Sequence, residues 1–447
     1  MAWCWIMGMI IFVFMEKKIL AFFLVMSIGV SMFGVSTQRT VIKGNYSQNT
    51  FKTMIIWSTI GKVMEVVDST KIINGAFEFK PRYYKQGMYL IGVNEGNHVP
   101  ILMDNEPIIE LSASGPKMET NLKYLQSKEN IAYIEFIPKE IKINNAIRAA
   151  HKKEGNDSTI IKLKESRLAE MRDSLRKAYP GTFLNKLIGW KSDILPLRKS
   201  TFWNNFDFND TAIVRCTVLN DRIQRYMRKF SKGENSGYIQ CIEEILTKAA
   251  VNDAVYEFTV YQMITGFFES GMDNITAYLI DQKLNGESCG EDDIHKLLTK
   301  TANSIQQLTV GHNPPNFQAK LSDGSTFELK NQVIKNKYTV LMFWSSWCEH
   351  CKAAAPEIKA FHEKYNKEKI VLVGYSLDNN QQMWENALNE RGFVFPNIFG
   401  GKQWDSPVSK LYKVNKTPLF FVLDKNGTLQ LKAKSIQEVE KFIGTSK

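Results

Sequence analysis

The chain is predicted to be multidomain: a small antiparallel β domain, an α-helical middle domain and a C-terminal α/β domain. Three observations carry this. Residues about 39–112 are a series of short β-rich runs, and residues about 117–306 place apolar side chains at helical spacing. After Gly311-His312-Asn313-Pro314-Pro315, continuous apolar runs alternate with helical patterns. At 447 residues the chain exceeds one ordinary core, so two or three folded units are expected. The expected boundaries are 1–37 for a signal peptide or N-terminal anchor, 38–114 for a β-sandwich-like accessory domain, 115–308 for the helical domain and 309–447 for the α/β domain.

A hydrophobic share of 44% and a charged share of 23% are ordinary for globular protein. The net charge of +11 suits anionic surfaces such as a lipid bilayer, but the lysines are scattered, which favours a simple solvated basic surface. No nucleic-acid partner is implied. The six cysteines are Cys4, Cys216, Cys241, Cys289, Cys348 and Cys351. They are too sparse for a disulfide scaffold. No second CxxC or paired histidine stands at ligand spacing, so no metal site is expected.

The N-terminus holds two apolar runs, Ala2 to Met15 and Ile19 to Val35, separated by Glu16-Lys17-Lys18. Read from Met15, residues 15–37 form a signal peptide: a short charged region, an apolar stretch and small residues near Ser36 and Thr37. An uncleaved anchor is the alternative, the apolar stretch being at the short limit for spanning a bilayer. Either way the rest of the chain is expected to be exported, to the periplasm or cell envelope. Nothing else is long and apolar enough to cross a membrane.

The strands expected next are Thr40 to Gly44, Thr53 to Trp57, Val63 to Asp68, Ala76 to Lys80 and Met88 to Val93, with one or two more from Pro100 to Leu111. Asn74-Gly75 is a hairpin signal. In the helical segment, Leu219, Ile223, Tyr226, Met227 and Phe230 share one face, as do Phe258, Tyr261, Ile264, Phe267 and Phe268. Such stripes are core rather than cofactor sites. Cys216 and Cys241 fall in helical patterns and read as buried thiols, with a disulfide between them as the alternative. His151 and His295 stand alone. Residues from Tyr179 to Asp210 read as irregular.

In the α/β domain the expected order is a hairpin from Phe317 to Leu329, a strand Tyr338 to Trp344, a helix through Tyr365 and a strand Lys369 to Ser376. Helices Gln381 to Arg391 and Ser406 to Tyr412 follow, then a hairpin from Leu419 to Ala433 and a last helix Ser435 to Ile443. The chemistry lies at Trp347-Cys348-Glu349-His350-Cys351, between strand and helix. A helix start presents unpaired N–H groups and a positive dipole end, which favour thiolate over thiol. The spacing lets Cys351 close a disulfide with Cys348.

Phe343-Trp344-Ser345-Ser346-Trp347-Cys348-Glu349-His350-Cys351, Pro356 in the following helix and Thr417-Pro418 before the strand Leu419 to Leu423 together resemble the thioredoxin fold. More narrowly, residues about 309–447 resemble exported TlpA/ResA-type thiol-disulfide oxidoreductases, and the preceding domains resemble the accessory domains of Bacteroidetes-type members. The resemblance implies that Cys348 attacks a substrate disulfide and that Cys351 resolves the mixed disulfide. It implies a cis Pro418, with Thr417, Pro418 and Trp347 at the substrate. It calls for no cofactor, and its partners would be protein disulfides and a membrane electron donor. Two departures stand out. Ala354 and Met342 occupy positions where relatives place a glutamate and a buried aspartate, so the proton of the resolving thiol must pass to water, Glu349, Glu357 or another group. Glu349 and His350 are expected to tune the redox poise in opposite senses, giving a potential above that of thioredoxin. The expected function is reduction of protein disulfides. The alternatives are a disulfide oxidase or isomerase of the same fold, and an envelope binding protein whose thioredoxin domain is accessory.

Overall fold

The computed structural model describes residues 39–47, 50–61, 63–104, 106–152, 158–192, 197–284, 293–366 and 368–445. The expected signal segment, Cys4 and Cys289 lie outside the described residues. The chain divides into two compact units, residues 1–59 with 64–188, and residues 60–63 with 189–447.

In the first unit, strands β1 (Val41–Ser47), β2 (Thr53–Ile60), β3 (Val63–Lys71), β4 (Ala76–Glu78), β5 (Gly87–Asn94), β6 (Asn97–Met103), β7 (Ile108–Ser114) and β8 (Lys123–Gln126) form two four-stranded sheets. Their orders are β4-β1-β7-β8 and β3-β2-β5-β6. Alternation decides which face is inward. Along β7, Ile109, Leu111 and Ala113 are buried and their neighbours are not. They join Ile42, Tyr46, Ile56, Ile91 and Ile101 in one core drawn from both sheets. Asn74 and Gly75 adopt positive φ, and Ile73 and Ala76 exchange backbone hydrogen bonds, so the hairpin turn forms. Beyond it, β4 pairs with β1 instead of extending the hairpin. β1 and β7 pair in parallel, where antiparallel pairing was expected throughout. Strands that far apart in sequence need no hairpin, and alternation alone does not report direction.

The helical pattern expected from about 117 begins later, at Lys128. Before it, β8 extends the first sheet, because Tyr124 turns into the core between exposed neighbours. Helices Lys128–Lys152 and Ser158–Ala178 follow. They are joined by a largely buried pair, with Arg172 Nη2 2.6 Å from Glu140 Oε1. The stretch read as irregular contains a helix, Phe183–Lys191. Its start is held by two acidic side chains: Phe183 N–H donates to Asp104 and Leu184 N–H to Glu129. Burial, reinforced by Asp104, pushes the Glu129 carboxyl up to about 9.

The second unit holds helices Val218–Phe230, Asn235–Ala249, Asp253–Ser270, Asp273–Lys283 and Asp293–Gln306. Asp253–Ser270 is apolar nearly all round and buries Val255, Phe258, Val260, Met263, Ile264 and Phe267. It runs from an Asn252 cap to a left-handed Gly271. Cys216 and Cys241 are free, buried thiols. Cys216 sits just after a short 3-10 turn rather than within a helix.

The α/β part of this unit is a five-stranded sheet in the order β13-β12-β11-β14-β15. It is preceded by the hairpin β9 (Gln318–Lys320) and β10 (Thr326–Glu328). Its strands are β11 (Tyr338–Trp344), β12 (Ile370–Ser376), β13 (Asn397–Phe399), β14 (Leu419–Asp424) and β15 (Leu429–Ala433). β11 lies parallel to β12 and antiparallel to β14. As a central strand it is buried on both faces, which explains its unbroken apolar run. Val340, Met342 and Trp344 pack with Ile358 and Phe361 of helix Ala355–Tyr365 and Val439 and Ile443 of helix Ile436–Thr445. On the other face, Phe343 meets the rings of Tyr375, Tyr412 and Phe421. β13 went unforeseen because three residues carry no period. The linker is fastened as well: Gly311 N–H donates to the Leu429 carbonyl, and Leu429 N–H to that of His312, both at 2.8 Å.

Candidate active site

The central strand delivers the CxxC segment. β11 ends at Trp344, and Ser345-Ser346-Trp347 cross to a short helix, Glu349–Ala353. Cys348 caps that helix: its Sγ accepts the Cys351 N–H at 3.2 Å. A second helix, Ala355–Tyr365, starts with Pro356 in its first turn, where a missing N–H costs nothing. The two cysteines differ in access. Cys348 is 7% exposed and Cys351 1%. Burial, followed by the Cys348 sulfur beside it, pushes the Cys351 thiol up to about 12. A neutral thiol behind a more accessible sulfur can serve as the second, slower partner of an exchange.

Thr417-Pro418 is a cis peptide, as the resemblance implies. The Thr417 carbonyl lies 3.4 Å from Cys348 Sγ, so this loop and the CxxC helix meet at the sulfur. Thr417 and Pro418 are half-buried. Trp347 is 42% exposed and therefore a rim residue rather than a core aromatic. Glu349 and His350 point to solvent. Of the groups considered for the proton, Glu357 is exposed and hydrogen-bonded to Gln437. Met342 is wholly buried in the sheet core.

Several residues around the site escaped the sequence reading. Asp378, 2% exposed, lies just beyond β12 and accepts from Ser346 N–H at 3.0 Å and from the hydroxyls of Ser346 and Ser376. Arg391 donates to the carbonyls of Ser345 at 3.2 Å and Ser346 at 2.7 Å, with its guanidinium 5.2 Å from the Trp344 ring centre. The Trp344 indole N–H donates to Asn397 at 3.1 Å. Gly374 is required beneath this pair, since a Cβ there would stand 2.0 Å from Asn397 Oδ1. Together these fix the loop that carries Cys348. Trp404 meets Trp347 edge-on at 5.9 Å and is also exposed, so two indoles flank the sulfur's side of the domain. An aspartate ending an apolar strand was the one signal that could have flagged Asp378; nothing local marks Trp404 or Arg391.

Among the described residues, no cluster of three or more His, Cys, Asp or Glu could hold a metal ion. None of the described helices is long and apolar enough to cross a membrane.

Residues 336–429 match a family model described as thioredoxin-like. The chain is similar to the thiol-disulfide oxidoreductase ResA of Bacillus anthracis, 27% identical over 122 residues, covering 27% of this chain and 68% of that protein. It is similar too to the sporulation thiol-disulfide oxidoreductase A of Bacillus subtilis, 28% identical over 120 residues, covering 26% and 69%. Among solved structures, a thioredoxin-like protein from Bacteroides caccae aligns over 55% of this chain and 90% of its own, at 17% identity and TM-score 0.40. A thiol-disulfide oxidoreductase from Bacteroides fragilis aligns over 29% and 98%, at 23% identity and TM-score 0.27.

Proposed function

We propose that this chain, whose C-terminal α/β domain is thioredoxin-like and similar to ResA-type thiol-disulfide oxidoreductases, is an exported reductase of protein disulfides acting through Cys348 and Cys351. One observation carries the reading: Cys348 Sγ, the more accessible sulfur, lies between the Cys351 N–H and the carbonyl of a cis-proline loop. In the first step the Cys348 thiolate attacks one sulfur of the substrate disulfide. A mixed disulfide forms and a substrate thiolate leaves. In the second step Cys351 gives up its proton and attacks the Cys348 sulfur, releasing the second substrate thiolate. The substrate gains two electrons, and the Cys348–Cys351 disulfide holds the loss until a membrane electron donor restores the dithiol. Thr417 offers backbone to an extended substrate strand, and Pro418, lacking an N–H, leaves that strand unopposed. Glu349 and His350 are both exposed, so solvent screens any charge they present to the sulfur.

The test is insulin reduction under dithiothreitol. The wild type is expected to accelerate it, and Cys348→Ser to lose that acceleration entirely. Equal rates with and without wild-type protein would refute the reading. Equilibration with glutathione separates a reductase from an oxidase, which would hold its disulfide at far more oxidising potentials.

The Trp347–Trp404 pair supports a second expectation. Exposed indoles beside a reactive sulfur supply rigid apolar contact to a peptide. Trp404→Ala is expected to raise KM for insulin roughly threefold to tenfold, while the rate with bis(2-hydroxyethyl) disulfide stays the same. A matching loss with both substrates would instead assign Trp404 a role in holding the fold.

A further inference from the structure

Beside the cis-proline loop the charges do not balance. Lys416 directly precedes Thr417, whose carbonyl touches Cys348 Sγ. β14 and β15 pair Phe420 with Ala433, and Lys434 is the first residue past that end of β15. The two lysines therefore flank the start of β14, Lys416 from the loop before it and Lys434 from just beyond β15. Their ammonium groups converge: a Cβ on Gly271 would stand 3.7 Å from Lys434 Nζ and 3.8 Å from Lys416 Nζ. Lys432 joins them, its charge reaching Lys416. Burial, then the charges of Lys434 and Lys432, lowers the Lys416 ammonium from its ordinary range, and burial lowers Lys413 and Lys432.

The counter-charges fall short. Asp273 is shared: Lys432 lies 3.2 Å away, its ammonium also 3.9 Å from the Phe268 ring centre, and the Asp273 charge reaches Lys416 as well, one carboxylate against three ammonium groups. Glu269 faces Lys413. The end of helix Asp253–Ser270 contributes its negative dipole. Two of its terminal carbonyls are already used, since Gly271 N–H donates to Phe268 and Met272 N–H to Phe267. Among the described residues, neither Lys416 nor Lys434 makes an ion pair.

We propose that Lys416 and Lys434 form a cationic rim on the substrate path, selecting disulfides whose reacting cysteine is flanked by an acidic side chain. This rests on the disulfide-reductase reading and narrows its substrate class. A peptide bringing a disulfide to Cys348 must pass Thr417, one residue from Lys416. A carboxylate on that peptide meets two clustered ammonium groups within a Debye length. It relieves their mutual repulsion as well as gaining their attraction, whereas a neutral or basic neighbour does neither.

The experiment uses the full chain and two synthetic peptide disulfides that differ only in having Asp or Ser beside the cysteine. The quantity read is the ratio of their kcat/KM values. The wild type is expected to favour the Asp peptide about threefold to tenfold, each partly exposed ion pair contributing modestly, and to lose the preference in high salt. In Lys416→Gln/Lys434→Gln the ratio is expected to fall to about one, and in Lys416→Glu/Lys434→Glu to invert. Thermal unfolding confirms that each variant is folded. A wild-type ratio of one, or a preference that survives both double variants, overturns the proposal while leaving the reductase reading intact. Failure of the wild type to reduce either peptide overturns both.

Discussion

Replacing Cys351 by alanine is expected to end turnover and leave substrate covalently attached to Cys348. Cys351 is 1% exposed behind Cys348, so without it the mixed disulfide loses its intramolecular attacker and waits on slower attack by an outside thiol. Insulin reduction should fall ~1,000-fold or more, in keeping with removal of a residue that acts as a unit with its partner. Non-reducing gels and mass spectrometry should recover disulfide-linked partners, which also names the substrate. Retained turnover would sink the assignment, and an empty trap would count against protein substrates. The wild type adds a check by pH. Because the Cys351 thiol is pushed up to about 12, its thiolate fraction climbs about tenfold per unit below that value, so the resolving step should quicken from neutral to alkaline pH. Stability moves the other way. A raised pKa stabilises the reduced fold below the ordinary thiol value of 9.0, and that contribution is lost as pH rises towards about 12.

Asp378→Ala is expected to be the most damaging substitution outside the CxxC pair. The carboxylate is buried and receives the Ser346 N–H and the hydroxyls of Ser346 and Ser376. Removing it strands a partly buried backbone donor and leaves two hydroxyls to find new partners, a cost of about 2–4 kcal/mol. It also frees the loop that holds Cys348, so activity should fall further than stability alone predicts. Asp378→Asn keeps the shape and one acceptor oxygen and should recover part of both. Urea unfolding and insulin reduction of the two variants provide the measurement. A change below about 1 kcal/mol in Asp378→Ala would show that Arg391 alone secures the loop.

What the sequence made legible was local. Trp347 to Cys351 stand out because reactive thiols, helix start and spacing fall within five consecutive residues. Thr417-Pro418 was legible only through a resemblance, because nothing in its neighbourhood says that it meets Cys348. Asn74-Gly75 announced a turn, since those residues tolerate positive φ, but did not announce that β4 would leave for β1. The parallel β1–β7 pair and the short β8 depend on which surfaces remain to be covered once the core forms. Asp378, Arg391 and Trp404 illustrate the same limit. Each is an ordinary surface-type residue until the sheet order β13-β12-β11 brings the ends of neighbouring strands together.

The linker bonds to Leu429 bear on aggregation. β13 and β15 are the outer strands of the five-stranded sheet, and an outer strand offers free backbone groups to any passing chain. Gly311 and His312 occupy that edge at Leu429, while Lys434 places an exposed charge just past its far end. At the opposite edge, Ser322 N–H donates to the Asn397 carbonyl at 3.0 Å and Leu321 bridges Ile398. Both seals come from residues upstream of Tyr338. A fragment cut to begin at the central strand would keep every sulfur and every core aromatic of the sheet, yet offer two open edges for intermolecular strand addition.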